Sequence, residues 1–345
     1  MTTMINREVK RVSASDVARL AGVSRTTVSF VLNNSPGKKI SERTRQRVLQ
    51  AAKELGYQPN EHARDLARIR HYSIGVFVCH SQSLFSDAYI PKVIEGVAQT
   101  LNRYRHRLIL QPLKIDQFNY LDIAESDELN GVIFINIHDN DNGFPELLDR
   151  GFPFVVIGTI NDSRIVQVDI DNLNSAKEAV QYLISLGHRK IGMISHASTL
   201  FYAARARIEG YKEALREAGY SVDERLIKKG DFSEESGYGA MAELLEENSD
   251  ITAIFAGNDV IAYGAIKAIR DRGMKIPDDI SIVGFDDDYL SRYLNPPLST
   301  ITLPAAGLGS EAARLLLKLI SGESIINKRI LLPTHFSIRE TCRRI

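Results

Sequence analysis

The stretch Ser13-Ala-Ser-Asp16-Val-Ala-Arg-Leu20-Ala-Gly22-Val-Ser24-Arg-Thr-Thr27-Val-Ser-Phe30-Val-Leu-Asn33 decides how the chain is read, because it spells two short helices joined by one tight turn. Ser13 with Asp16 three residues on is a capping signature for the first helix, and Val17 and Leu20 fall on one face before Gly22 supplies the turn. Ser24 caps the second helix, in which Val28, Val31 and Leu32 point inward while Arg25, Thr26, Ser29 and Phe30 face outward. A third helix is predicted from Ser41 to Gly56, with Val48, Ala51 and Leu55 at core spacing, so three helices close a miniature core. The outward face of the second helix suits a major groove, a stronger reading than any small helical hairpin because of what surrounds it.

Charge is part of that context. The net charge of zero conceals two opposite halves: residues 1 to 71 hold 14 Lys/Arg against 6 Asp/Glu, a balance of +8, and residues 72 to 345 hold 29 against 37, a balance of −8. A basic head on an acidic body is what phosphate binding requires and what an ordinary enzyme has no need of.

A chain of 345 residues with 44% hydrophobic content buries a large core and divides into two or three domains. No apolar run approaches a membrane span and the first residues lack the apolar segment of a secretory signal, so a cytoplasmic protein is expected, with no membrane partner. Cys79 and Cys342 stand alone, without CxxC or His-rich neighbours, which points away from disulfides and metal sites. The eight His include no HExxH, no GxGxxG follows a strand, no GK[ST] occurs, and Gly307-Leu-Gly309 lacks the rest of a nucleotide fingerprint. These absences argue against an enzyme and against a cofactor. The basic head and the missing signal argue against a free sugar carrier.

Along the chain, residues 1 to 12 read as a polar tail carrying Arg7, Lys10 and Arg11. Pro59 breaks the third helix, and Glu61 to Ile69 offers one more short helix, a linker that orders only when something such as DNA holds it. From Ser73 strands alternate with helices: Ile74 to Val78, Leu108 to Gln111, Gly131 to Ile135 and Phe154 to Ile157 are buried-strand runs, and Ile90 to Tyr104 is helical. A second series begins near Asp169, with strands at Lys190 to Ile194, Thr252 to Ala256 and Ser281 to Gly284, and helices from Asn172, Tyr202, Glu234 and Val260. The run Asn295-Pro-Pro-Leu-Ser-Thr-Ile-Thr302 is expected to cross back to the first lobe, where a helix from Ala306 to Ser321 packs. The fold class is α/β, with an N-terminal helix-turn-helix head (1–58), a hinge helix (59–71) and a two-lobed core of doubly wound parallel sheets (72–345). Lobe one takes about 72–168 plus 299–333 and lobe two about 169–298 plus 334–345.

Asp16-Val-Ala-Arg-Leu-Ala-Gly-Val-Ser24, Thr27-Val-Ser29, Glu54-Leu-Gly-Tyr-Gln-Pro-Asn60, Ala63-Arg-Asp-Leu66, Leu186-Gly-His-Arg-Lys-Ile191, Arg207-Ile-Glu-Gly210, Gly257-Asn-Asp259 and Val283-Gly-Phe-Asp-Asp287 follow one another in a fixed order. In that order the chain resembles the lactose/galactose repressor family of bacterial transcription factors over essentially its whole length. The resemblance implies a homodimer on a near-palindromic double-stranded operator, a core like the periplasmic sugar-binding proteins, and a small-molecule effector, a sugar or sugar derivative, between the lobes. A corepressor such as a purine, or a phosphorylated partner protein, is the alternative.

By the same resemblance the DNA-contacting positions are Ser24, Arg25, Thr26, Thr27, Ser29 and Phe30, with Asn60, Ala63 and Leu66 in the hinge. Arg25 can bond N7 and O6 of a guanine, a pairing worth ~1–3 kcal/mol of discrimination. Thr26 can meet a thymine methyl, Phe30 departs from the usual polar residue, and Leu66 matches a leucine wedged into the minor groove. Glu61 and Asp65 depart from the pattern by placing acids beside phosphates. The effector positions are Arg207, Asn258 and Asp286, joined from the first lobe by Phe85, Phe134 and Asn136: a guanidinium, an amide and a carboxylate each bond adjacent hydroxyls, and aromatic faces suit the apolar side of a pyranose. Residues Leu331 to Ile345 carry no leucine heptads, so a dimer rather than a tetramer is expected.

Overall fold

The computed structural model describes residues 12–32, 40–57, 72–79, 84–85, 89–114, 119–138 and 141–345. The chain divides into two compact units, Met1–His71 and Tyr72–Ile345. The hinge segment, with Asn60, Ala63 and Leu66, and the N-terminal tail lie outside the described residues.

In the first unit α1 (Ala14–Ala21), α2 (Arg25–Leu32) and α3 (Glu42–Glu54) close on Val17, Val28, Val31 and Val48, with Ala18, Ala21, Ala51 and Ala52 between them. Small and β-branched side chains at the centre let three short helices approach closely. Asp16 Oδ2 accepts from the Ser13 backbone at 3.0 Å, and Gly22 turns the chain with φ 63°, a left-handed conformation that costs glycine nothing. Ser24 Oγ accepts from the Thr27 backbone at 3.1 Å, and Ser41 Oγ from that of Thr44 at 3.3 Å, so the next two helices start on hydroxyl caps. Leu20, expected to face inward, is 51% exposed. It stands ~100° round the helix from the face that Val17, Ala18 and Ala21 share.

The second unit runs β1 (Ser73–Cys79), α4 (Tyr89–Arg103), β2 (Arg107–Leu113), α5 (Tyr120–Ser126), β3 (Leu129–Ile135), α6 (Phe144–Asp149), β4 (Phe154–Ile157) and β5 (Gln167–Ile170). It continues through α7 (Asn172–Ser185), β6 (Ile191–Ser195), α8 (Tyr202–Glu217), β7 (Ile227–Lys229), α9 (Glu234–Glu247), β8 (Ala253–Ala256) and α10 (Asp259–Asp271). Last come β9 (Ser281–Asp286), β10 (Ser299–Thr302), α11 (Ala305–Ile320), β11 (Arg329–Leu332) and β12 (His335–Ser337). The strands form two six-stranded sheets, ordered β11-β5-β4-β3-β1-β2 and β12-β10-β9-β8-β6-β7. Every described pairing is parallel except that of β12 with β10. Parallel strands buried on both faces by helices explain the near-continuous Ile/Val/Phe runs.

Two lobe boundaries differ from the sequence reading. Asp169 and Ile170 still belong to the first sheet, since β5 pairs with β4 and β11. Ser299 to Thr302, expected to have crossed back, is a strand of the second sheet in parallel register with Val283 to Asp286. Its hydroxyls hide it from a hydropathy reading: Ser299 and Thr300 are fully buried because Thr300 Oγ1 donates to Asp259 at 2.6 Å and the Ser299 backbone donates to Thr341 at 2.9 Å. The chain therefore changes sheet after Ile170, after Thr302 and between Leu332 and His335.

Candidate functional site

The head presents one chemically distinct face. Along α2, Arg25, Thr26 and Ser29 are exposed and Phe30 is half-buried. Ser24 and Thr27 are committed to each other at the helix start, hydroxyl to hydroxyl at 2.9 Å, so they fix where the outward face begins.

In the second unit a cavity of about 750 Å³, its open mouth included, lies where the carboxyl ends of the two sheets meet. Asn136 follows β3, Gly158 and Thr159 follow β4, His196 follows β6, Asn258 follows β8 and Asp286 ends β9, and all of them line it. This is where parallel α/β sheets bind ligands, because neighbouring crossovers diverge there and leave a crevice.

A chain of polar contacts crosses the cavity. Thr159 Oγ1 donates to Asp169 at 2.8 Å, Asn172 Nδ2 donates to the same carboxylate at 3.1 Å, and Arg207 Nε donates to Asn172 Oδ1 at 3.0 Å. Arg207 Nη1 also donates to the Gly257 carbonyl at 2.5 Å and stands 3.8 Å from Asp286 Oδ1. The guanidinium carbon lies 3.6 Å from the centre of the Phe285 ring, which holds its plane. Burial lowers the pKa of Arg207 against the raising influence of Asp286 and Asp169, and burial raises that of Asp169. Asn258 caps α10, accepting from the Ile261 backbone at 2.9 Å. His196 is held well below its ordinary pKa, first by burial and then by Arg207, so its ring is neutral.

The walls are aromatic. Tyr89, Phe201, Tyr202 and Phe232 line the cavity, with Phe232 edge-on to Phe201 at 5.3 Å and to His196 at 5.5 Å. Three lining residues hold left-handed backbone without being glycine: Asn136 at φ 56°, Phe232 at 69° and Asp286 at 113°. Such strain persists where the surroundings over-determine it, and here it aims those side chains.

Of the effector positions expected from sequence, Asn136, Arg207, Asn258 and Asp286 share this cavity. Phe134 and Phe85 are not among its lining residues. Phe134 is fully buried under the first sheet, edge-on to Phe77 at 5.5 Å and to Phe144 at 5.1 Å, because strand alternation turns it into the layer those rings form. Phe85 is 64% exposed in a turn.

The description "Bacterial regulatory proteins, lacI family" matches residues 14–60, and "Periplasmic binding protein-like domain" matches residues 180–342. The transcriptional regulator CelR of Thermobifida fusca is 35% identical over 96% of this chain and 98% of its own. The chain belongs to the LacI family. A probable transcriptional repressor of that kind, ExuR of Bacillus subtilis (strain 168), is also 35% identical, over 97% of this chain and 99% of its own. A CelR–cellobiose complex superposes with a TM-score of 0.73 at 33% identity, covering 96% of this chain and 100% of that one. The lac repressor dimer bound to operator and an anti-inducer gives 0.76 at 27% identity, covering 97% and 100%. As a LacI-family member the chain is a DNA-binding transcriptional regulator with an effector-binding core, not an enzyme.

Sequence reasoning missed Asp169, Asn172, His196, Phe201 and Phe232. His196 carried a usable signal, since it follows directly on the carboxyl end of the buried strand β6. Phe232 carried none, because its place depends on a positive φ in a loop.

Proposed function

We propose that this LacI-family regulator represses carbohydrate-utilisation genes under the control of a sugar or sugar derivative held between the two lobes, and that it reads a near-palindromic operator as a homodimer. The observation that carries the sugar reading is the pairing of a guanidinium, two carboxylates and amides with four aromatic rings around one cavity of about 750 Å³. Hydroxyls need paired polar partners and pyranose faces need flat apolar ones. The structure of CelR with cellobiose supports the reading by kinship. On the DNA side Arg25 is the principal base reader, Thr26 meets a thymine methyl, and Leu66, with Asn60 and Ala63 beside it, opens the minor groove at the operator centre.

The test is operator binding. The full chain selects its site from a random duplex library, and affinity for that site is then measured with and without neutral sugars, sugar phosphates and purines. A sugar that changes operator affinity at least tenfold supports the proposal. A change produced by a purine alone replaces it with the corepressor reading.

A further inference from the structure

Two of the residues that line the effector cavity each carry a buried polar atom with no hydrogen-bond partner among the described residues: Nδ2 of Asn136, from the first lobe, and Nδ1 of His196, from the second. His196 is 6% exposed. A buried polar atom without a partner costs folding free energy, so a fold that keeps one beside a ligand crevice leaves that bond to the ligand. Asn136 and His196 reach it from opposite sheets.

Charge narrows what the ligand is. Among the described lining residues two carboxylates, Asp169 and Asp286, stand against one guanidinium, Arg207, with no lysine. The charge of Arg207 is already set against Asp286, and its Nε and Nη1 donate to Asn172 and the Gly257 carbonyl. Lys92, beside the cavity, donates to the Asp287 carbonyl at 3.0 Å. An anionic ligand would enter a buried site with no cation left over to compensate it. A hydroxyl, in contrast, both donates and accepts, and meets either tautomer of a neutral imidazole.

We propose that His196 is a specificity-determining residue of the effector site and that it selects an uncharged, hydroxyl-rich molecule, a neutral mono- or disaccharide, over uronates and sugar phosphates. The proposal rests on the sugar reading above and deepens it.

The full chain is melted with glucose, galactose, ribose and cellobiose, with glucose 6-phosphate and galacturonate, and with hypoxanthine and guanine. A rise in Tm with a neutral sugar and none with its anionic counterpart is expected. A larger rise with an anion overturns the neutral class while leaving the sugar reading; a rise with a purine alone overturns the sugar reading itself; no rise with any neutral sugar overturns the proposal. With the sugar that shifts Tm, His196→Phe keeps a flat ring and should bind about tenfold more weakly, with His196→Gln recovering part of the loss. Singly deoxygenated analogues separate recognition from packing: one of them should lose affinity in the wild type and lose no more in His196→Phe. Equal losses in both proteins for every analogue would remove His196 from the role.

Discussion

Arg207 Nη1 and Asp286 Oδ1 stand 3.8 Å apart in the wall of the cavity, near enough to offset each other's charge and too far apart to share a hydrogen bond. Charge balance is thus met without a direct bond between the two groups. Arg207→Met should leave Asp286 and Asp169, which both line the cavity, without this guanidinium, and breaking a buried charge set costs ~3–5 kcal/mol. The expected outcome in denaturant unfolding is a lowered midpoint together with loss of any effector-induced Tm shift, while the head keeps its affinity for DNA. A variant that still responds to effector would remove Arg207 from the site.

Phe134 gives the opposite expectation. It is packed among Phe77, Tyr120, Phe144 and Phe154 and is absent from the cavity lining. Phe134→Ala should therefore cost ~3–5 kcal/mol through the void it leaves and change effector affinity by less than about twofold. Calorimetry of the folded variant against the wild type decides between a core role and a binding role.

Asp259 ties α10 to β10 and to the segment that follows β9, accepting from Thr300 at 2.6 Å, from Ser291 at 2.5 Å and from the Asp288 backbone at 2.8 Å. Burial pushes its carboxyl up to about 7 in spite of those three donors. Unfolded, the group titrates near ~3.9, so between these values the folded chain holds a proton the unfolded chain does not. Stability from this group is greatest below that window and falls as pH rises through about 7. Urea midpoints from pH 5 to 8 should decline in the wild type and flatten in Asp259→Asn; parallel curves would assign the slope to other groups.

Three helix starts in the second unit were legible in the sequence from periodicity, in two cases with a cap beside it. The helices expected from Asn172, Tyr202 and Glu234 begin at those residues, two of them behind a side-chain cap from Asp171 or Ser233. The strand Ser299 to Thr302 was not legible, because its polarity is answered by Asp259 and Thr341, at sequence distances no local pattern can see. The site divides in the same way. Arg207, Asn258 and Asp286 sit in motifs, whereas Phe201 and Phe232 come together only through the loops that follow two strands. The resemblance misled at Phe134: it and Asn136 are two residues apart and alternation alone would set both on one face, but the left-handed φ of 56° at Asn136 breaks the extended run just past β3, so Asn136 lines the crevice while Phe134 stays packed against Phe77 and Phe144.

The last prediction concerns base reading. Arg25 begins α2, is exposed, and stands next to the Ser24–Thr27 cap that sets the helix start. A guanidinium placed there can bond a guanine edge or a phosphate, and the two contacts differ in what their loss does. Arg25→Ala should reduce discrimination between the selected operator and scrambled DNA by ~1–3 kcal/mol, with the salt dependence of nonspecific binding nearly unchanged. A phosphate contact would instead weaken all duplexes alike and lower the salt slope by about one. Ser24→Ala serves as the reference: it costs ~0.5–2 kcal/mol of head stability through the lost cap and weakens both kinds of binding together. Titrations of both variants against the two duplexes at several salt concentrations separate specificity from stability, and retained operator preference in Arg25→Ala would move base recognition to Thr26 and Phe30.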